Sequence, residues 1–325
     1  TRTQILPVNS SLSIPRVRLN LNIPALIQDG CCTILRTTSM EKFNSWGQKY
    51  LRVHVDMING TRYTFQDFAM AVKVEKVALP DLPKAEVTIH GISLETMSQI
   101  TCLTFKKNAQ TPNKLIIEAG YSKDKMSTIF IGNITTANGD FNSAPDVVFQ
   151  INATSGLFAK VKPVRPTSVN KAMTVEDFVK ALAGQGGLNT EFNKGQSLGN
   201  LNNQLITGSP VDQVKKAGET VGADAMVDNE TVVMLPRGEA RLRPGIFTLS
   251  KDNGLIGYPS FNEEGVSITC FFNPNLTIGG IIQLDSIVPR ATGRWKITRL
   301  DHTLTVNTAG EGEWRSNAEC VYIEG

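Results

Sequence analysis

Apolar and polar residues alternate along short stretches of this chain, and Asn, Gly, Asp, Ser or Pro close each stretch. A period of two sends successive side chains to opposite faces of a strand, so such a chain folds as half-buried antiparallel sheet rather than as a helical bundle. Residues 51–57 (LRVHVDM) alternate in this way and run into Asn59-Gly60, a dipeptide that favours a tight hairpin turn, so a second strand is expected from Thr61. Residues 85–90 alternate again and stop at Gly91. Three further strands are expected at 114–119, 128–134 and 147–153, with polar stretches at 122–125 and 135–143 reading as the turns between them.

Helical spacing interrupts this field once. Ser93 is a good N-cap with Glu95 in the first turn, and Leu94, Met97, Ile100 and Leu103 share a face, which predicts a short helix over 94–104. The pattern changes after Lys160: residues 161–166 hold two prolines and read as a linker. Thr174 then caps a helix with Glu176 and Asp177 at its positive end, while Val175, Phe178, Val179 and Leu182 form an apolar stripe before Gly184. A Gly- and Asn-rich loop is expected over 184–203. Ser209-Pro210 opens another helix, with Val211, Val214, Ala217 and Val221 on one face and Gly222 as its stop. Strands at 225–227 and 231–235 flank a turn at Asp228-Asn229, so 167–238 reads as a small α/β module. Strands resume from Gly245, at 266–271, 281–284, 294–303 and 314–322.

The ends of the two β regions echo each other. Residues 114–119, 129–134 and 146–153 follow one another with the same spacing as 280–285, 295–300 and 314–322. Any antiparallel meander gives a similar rhythm, so the echo leaves open both a duplication and a coincidence of spacing.

Composition bounds the function classes. The chain has 325 residues, 41% of them hydrophobic and 19% charged, which suits two or three packed domains and excludes a disordered or coiled-coil chain. The net charge of +3 is spread without a basic stripe, so nothing marks a nucleic-acid-binding face. No apolar run reaches the roughly 20 residues of a membrane span, and residues 1–21, with Pro7 and Pro15, lack the apolar core of a secretory signal, so a cytoplasmically made, soluble chain is expected. Cys31, Cys32, Cys102, Cys270 and Cys320 have neither disulfide-framework nor metal-site spacing and read as buried, reduced thiols.

The search for chemistry is negative. His54, His90 and His302 are far apart and propose no metal site; no phosphate-binding loop or nucleophile elbow is present, and no cofactor is implied. Glu263 and Glu264 are adjacent turn residues. Glu118 lies in an apolar strand, but no partner carboxylate for glycosidase chemistry is evident. The sequons at Asn9, Asn59, Asn133, Asn152, Asn229 and Asn275 are explained by an Asn- and Thr-rich β chain. Trp295 and Trp314 would suit an aromatic sugar platform or, with the better odds, a packed core or interface. The expectation is a protein that is not an enzyme.

Two stretches resemble the baseplate hub proteins of contractile-tailed bacteriophages. The first is 85–93 with its helix, then Glu118-Ala119-Gly120-Tyr121 at the end of 115–121, then 129–134; the second is 265–274 ending in Asn273-Pro274, then 295–302 with Trp295 and His302, then Trp314. The order fits from about residue 15 onward, although Cys270, Phe271 and Phe272 stand where smaller aliphatics are expected. The resemblance implies a mainly β fold with two tail-tube-like antiparallel β-barrel domains and the small α/β module between them: an arm at 1–14, a first barrel at 15–160, a linker at 161–166, the module at 167–238 and a second barrel at 239–325. It implies a homotrimer whose six barrels match a sixfold tail tube above and a threefold central spike below. The expected partners are the tail tube or its initiator, the spike and other baseplate subunits, with a channel for DNA or tape-measure protein. The location implied is the virion tail, after assembly in the bacterial cytoplasm. A host-surface carbohydrate-binding tail module, suggested by the two tryptophans, is the alternative.

Overall fold

The computed structural model of the chain describes residues 48–101, 113–142, 147–169, 171–242, 244–308 and 312–323. The N-terminal arm, Cys31, Cys32, Cys102, Asn9 and residues 102–104 of the expected first helix lie outside them. The fold is mainly β with few helices, as the alternating pattern implied.

In the first half, β1 (Tyr50–Asp56) turns through Asn59 and Gly60 into an antiparallel β2 (Arg62–Gln66). β3 (Met70–Val77) and β4 (Lys84–His90) form a second hairpin, and Ser93 caps α1 (Leu94–Ile100) through the Thr96 amide. β5 (Lys114–Gly120), β6 (Ser127–Asp140) and β7 (Val148–Thr154) complete it as a meander. The turn expected over 135–143 is therefore largely strand. β6 continues past a bulge at Ile134/Thr136, and Ala137, Asn138 and Gly139 pair with Ile151, Gln150 and Phe149. Cross-strand pairing overrides the turn preference of Asn and Gly.

The middle segment opens with α2 (Leu157–Val161), so Val161 closes a helix and the prolines follow it. β8 (Thr167–Val169) and β9 (Met173–Thr174) lead to α3 (Val175–Gly186), capped by Thr174 through the Asp177 amide. Gly184 does not end this helix: the stop is Gly187, whose positive φ of 71° lets its amide reach back to the Ala183 and Gly184 carbonyls. The loop expected over 184–203 also holds β10 (Asn189–Phe192) and β11 (Asn200–Leu201). After β12 (Gln204–Ile206), α4 (Pro210–Val221) starts in a capping box between Ser209 and Asp212. β13 (Ala223–Asp228) and β14 (Thr231–Pro236) turn through Asn229 and Glu230, both with positive φ, and β10 runs parallel to β14. Phe178, Leu182, Val214, Ala217, Val227 and Met234 belong to a separate apolar core.

The last segment contains β15 (Ile246–Leu249), β16 (Leu255–Phe261), β17 (Gly265–Phe271), β18 (Ile281–Leu284), β19 (Gly293–Val306) and β20 (Trp314–Tyr322). It does not form a sheet of its own. β19 pairs antiparallel with β3 over eight residues, from Arg299 opposite Val77 to Val306 opposite Met70. The result is one 13-stranded sheet in the order β16-β17-β20-β19-β3-β4-β7-β6-β5-β1-β2, with β18 also on β19 and β15 on β18. Among the described residues no ladder closes either half into a barrel.

The echo is present in the topology. β3-β4-β7-β6-β5 and β16-β17-β20-β19-β18 run in the same order, and the middle strand of each meander, β6 and β19, has 14 residues with a bulge halfway along. Gly265 marks a close approach of two strands: a β-carbon there would sit 2.0 Å from the Cys320 carbonyl oxygen. Gly265→Ala should therefore force the β17–β20 ladder apart and cost about 1–3 kcal/mol, read as a lower urea midpoint. Gly184→Ala, with open space at its β-carbon, should be neutral or stabilising.

Candidate functional site: the seam between the two sheet halves

Pairing of β3 with β19 brings three layers together: the first half, the second half and the middle module. On one face, Val72 and Val74 of β3 and Leu304 of β19 are fully or almost fully buried. Next to them Phe272 sits between three rings, with centroids 5.3 Å from His302, 5.3 Å from Trp314 and 6.3 Å from Tyr121. Tyr121 and Trp314 meet edge-on at 6.2 Å, and the Tyr121 hydroxyl donates to the Phe272 carbonyl at 2.8 Å. Edge-to-face packing of this kind adds about 0.5–1.5 kcal/mol per pair beyond the area buried. Burial pushes the Tyr121 hydroxyl up to about 12.

Three of the residues on which the resemblance rests, Tyr121, His302 and Trp314, thus converge although 193 positions separate the first from the last in sequence. Glu118, Ala119 and Gly120 form the end of β5 that delivers Tyr121. Glu118 has a partner that the sequence did not reveal: Arg52 on β1 donates to it at 3.2 Å, and His54 lies 3.7 Å away. Ala119 is buried, and Gly120 passes so close to the Lys125 carbonyl that a β-carbon would meet it at 2.8 Å. Asn273 and Pro274 form the turn after β17, where the Asn273 side chain accepts from the Asn275 amide at 2.9 Å and fixes the chain just beyond Phe272. Trp295 is elsewhere. It packs in the second half's core with Ile282, Leu284 and Ile297, against Tyr322, and donates to the Ala291 carbonyl at 2.8 Å.

Both tryptophans are therefore buried and neither presents a ring face to a sugar. Cys270 and Cys320 are buried, free thiols in the second core, and burial raises both, Cys270 to about 12. Glu263 and Glu264 are exposed in the β16–β17 turn, and Asn133 is buried, its side chain accepting from the Phe158 amide at 3.2 Å. Among the described residues no cluster of His, Cys, Asp and Glu could hold a metal.

Farther along the same face of β3 a chain of charges ties the module to the sheet. Lys76 of β3 donates to Asp228 at the end of β13 at 2.6 Å; Arg241 donates to the other Asp228 oxygen at 2.8 Å and forks onto Glu191 of β10 at 2.8 and 2.5 Å. Burial alone would raise the Asp228 carboxyl, but the two cations overcome it and hold it down to about 2. Lys296 of β19 reaches Asp224 at 2.8 Å, the Leu79 amide donates to the Ala225 carbonyl at 3.2 Å, and the Asn229 side chain accepts from the Ile131 amide of β6 at 3.2 Å. Arg299 pairs with Glu75 across the seam itself. His302 is fully enclosed. It shares a 2.7 Å hydrogen bond with Ser316, and burial, with Lys76 nearby, lowers it to about 3.

The family described as "Baseplate hub gp41" matches residues 50–309, most of the chain. No curated protein sequence matches. Among solved structures, the tail protein from Neisseria meningitidis MC58 has a TM-score of 0.57 at 9% identity over 84% of this chain and 96% of its own. The 43 kDa tail protein of prophage MuSo2 from Shewanella oneidensis gives 0.56 at 9% identity over 85% and 97%. The E. coli c3393 protein gives 0.53 at 11% identity over 79% and 74%; it is described as a component of the type VI secretion system with structural similarity to the T4 bacteriophage tail proteins gp27 and gp5. At these identities the likeness is one of fold.

Two outcomes follow from the seam's charges. Asp228→Ala leaves Lys76 and Arg241 buried without their shared carboxylate and should cost about 3–5 kcal/mol in urea unfolding, whereas Glu230→Ala, which frees only the exposed Lys114, should cost well under about 1 kcal/mol. His302 binds its proton near 6.5 when unfolded but only near 3 when folded, so its contribution is whole above pH 6.5 and is lost as pH falls toward 3. Stability measured at pH 5 should accordingly be about 2 kcal/mol below that at pH 7, and the loss should be mostly absent in His302→Phe.

Proposed function

The chain belongs to the baseplate hub family of bacteriophage tails, and from that premise we propose that three copies form a ring that joins the sixfold tail tube to the threefold central spike. The observation that carries this reading is the repeated strand order: one chain holds two sheet units of the same topology, joined edge to edge at the seam. Three such chains supply six similar units to a sixfold neighbour while keeping threefold symmetry for a threefold one. In this reading 15–160 and 239–325 are the two tube-like units, 161–166 links them to the module, and 167–238 lies on the periphery, where it is free to contact other baseplate subunits.

Rigidity is what such a joint requires, and the buried contacts of the seam supply it. Tyr121, His302 and Trp314, with Phe272, hold the two units at a fixed angle, while Glu118, Ala119, Gly120, Asn273 and Pro274 shape the turns that deliver them and Trp295 anchors the second core. The role is structural and not enzymatic. The open centre of the ring passes DNA or tape-measure protein, and the chain's small net charge of +3 suits a lumen that must not grip phosphates. Synthesis and assembly take place in the host cytoplasm, before the tail joins the virion.

Electron microscopy of the purified full chain tests this. Threefold rings with six lobes are expected. A species that stays monomeric across the micromolar range and binds neither spike nor tube protein overturns the proposal.

A further inference from the structure

The two sheet units of one chain meet at the seam, yet the same two kinds of edge occur again, unpaired among the described residues. β16 stands in the second unit where β3 stands in the first, and it ends the sheet path. The far half of β6 stands where the seam half of β19 stands, and no described strand pairs with residues 136–140 on the side away from β7. We propose that these two edges meet between copies, β16 of one chain pairing antiparallel with the far half of β6 in the next, so that the ring closes head to tail by a second version of the seam. The inference rests on the ring reading above and names the surfaces that form it.

Direct pairings fix the register. In the first unit Ile134, Ala153, Ala85 and Val74 form a row across β6, β7, β4 and β3, and the row continues over the seam to His302. In the second unit the corresponding row is Ile297, Cys320, Val266 and Phe261, and there it stops. Seven of these eight residues are buried, while Phe261 is 54% exposed. Counting on from the two bulges, Gly139 corresponds to His302 and Phe141 to Leu304. Leu304 is fully buried at the seam, whereas Phe141 is 57% exposed. The two positions whose counterparts are buried by the intrachain seam thus carry exposed phenylalanines.

The two phenylalanines also fall together. At the seam a valine, Val74, faces a histidine, His302. In the proposed contact Phe261 faces Gly139, where the Phe141 ring lies 3.0 Å from the position a β-carbon would take, so Phe261 meets that ring rather than an empty site. The outward pair is neutral, Asn138 opposite Asn262, where the seam has Glu75 opposite Asp301 with Arg299 between the two carboxylates. Upstream, the register shift between Ile256 and Ser260 and the missing amide hydrogen of Pro259 keep β16 from accepting an arbitrary strand. The contact is therefore short and depends on side chains that only another copy of this chain presents in register. Since the two edges differ, the contact is heterologous, and three such contacts close a ring of three chains.

Paired strand positions place α-carbons about 4.5–5.5 Å apart, a span that a disulfide bridges. The full chain carrying Asn138→Cys and Asn262→Cys should, on mild oxidation, yield covalent dimers and a covalent trimer beyond any background from the parent chain. The two single variants mixed should give a dimer, and neither should do so alone. A dimer from Asn262→Cys alone would mean β16 pairing with itself, which overturns the proposal. Threefold rings without the 138–262 bridge would sink this edge pairing and leave the ring reading standing; absence of any self-association would sink both. Independently, Phe261→Asp and Phe141→Asp should each weaken self-association roughly tenfold or more at an unchanged melting temperature. Unchanged association in both variants also overturns the proposal.

Discussion

The fold depends on a single strand pairing, that of β3 with β19. A sheet edge exposes unsatisfied amides and carbonyls, and two units that each leave an edge open are liabilities until those edges are covered. Here the chain covers one with the other over eight residue pairs. Two cores that would otherwise have met through side chains alone are thereby locked in register, because a slip of one residue would turn every buried side chain of the seam outward. Lys76 shows how tightly this is set. It lies opposite Leu300 on β3, and only in that register does its amine reach Asp228, which in turn holds Arg241 and Glu191.

The length of the middle strands follows from the same constraint. β19 must serve β20 along one edge and, along the other, first β18 and then β3. A strand with two successive neighbours on one side needs to be long and to twist between them; 14 residues with a bulge halfway meet both needs. β6 has the same length and the same bulge, with β5 beside its first half. Its second half, residues 136–140, pairs with β7 on one side and with no described strand on the other.

Much of the local structure was legible in the sequence and little of its assembly. Period-two stretches at 51–57, 85–90, 281–284 and 314–322 became strands, and Thr174, Ser209-Pro210 and Gly222 marked helix ends, because these signals act through the nearest few residues. β3 alternates as clearly as any of them, yet nothing local marks it as the strand on which the seam depends. Turn-forming residues misled at 135–143 and at 184–203, where pairing with β7 and with β14 outweighs local preference. The motif residues were found as a list. That Tyr121, His302 and Trp314 touch through Phe272, a residue that departs from the pattern, is set by a strand pairing 222 or more positions apart, beginning with that of Val77 with Arg299.

In the proposed ring, two units of the same strand order on one chain also change the energetics of assembly. Six separate units would have to form six junctions between molecules, each at the full cost of lost translational and rotational freedom. When two units share a chain, half of the junctions form during folding, at an effective concentration set by the linker rather than by supply. The paired units are then free to diverge. The seam took charge, with Lys76, Glu75 and Arg299, and with it a docking place for the α/β module; the opposite edges kept neutral Asn138 and Asn262. In the proposed ring that divergence is what lets one chain face both a sixfold and a threefold neighbour, since identical units would present six identical surfaces and fit only the first.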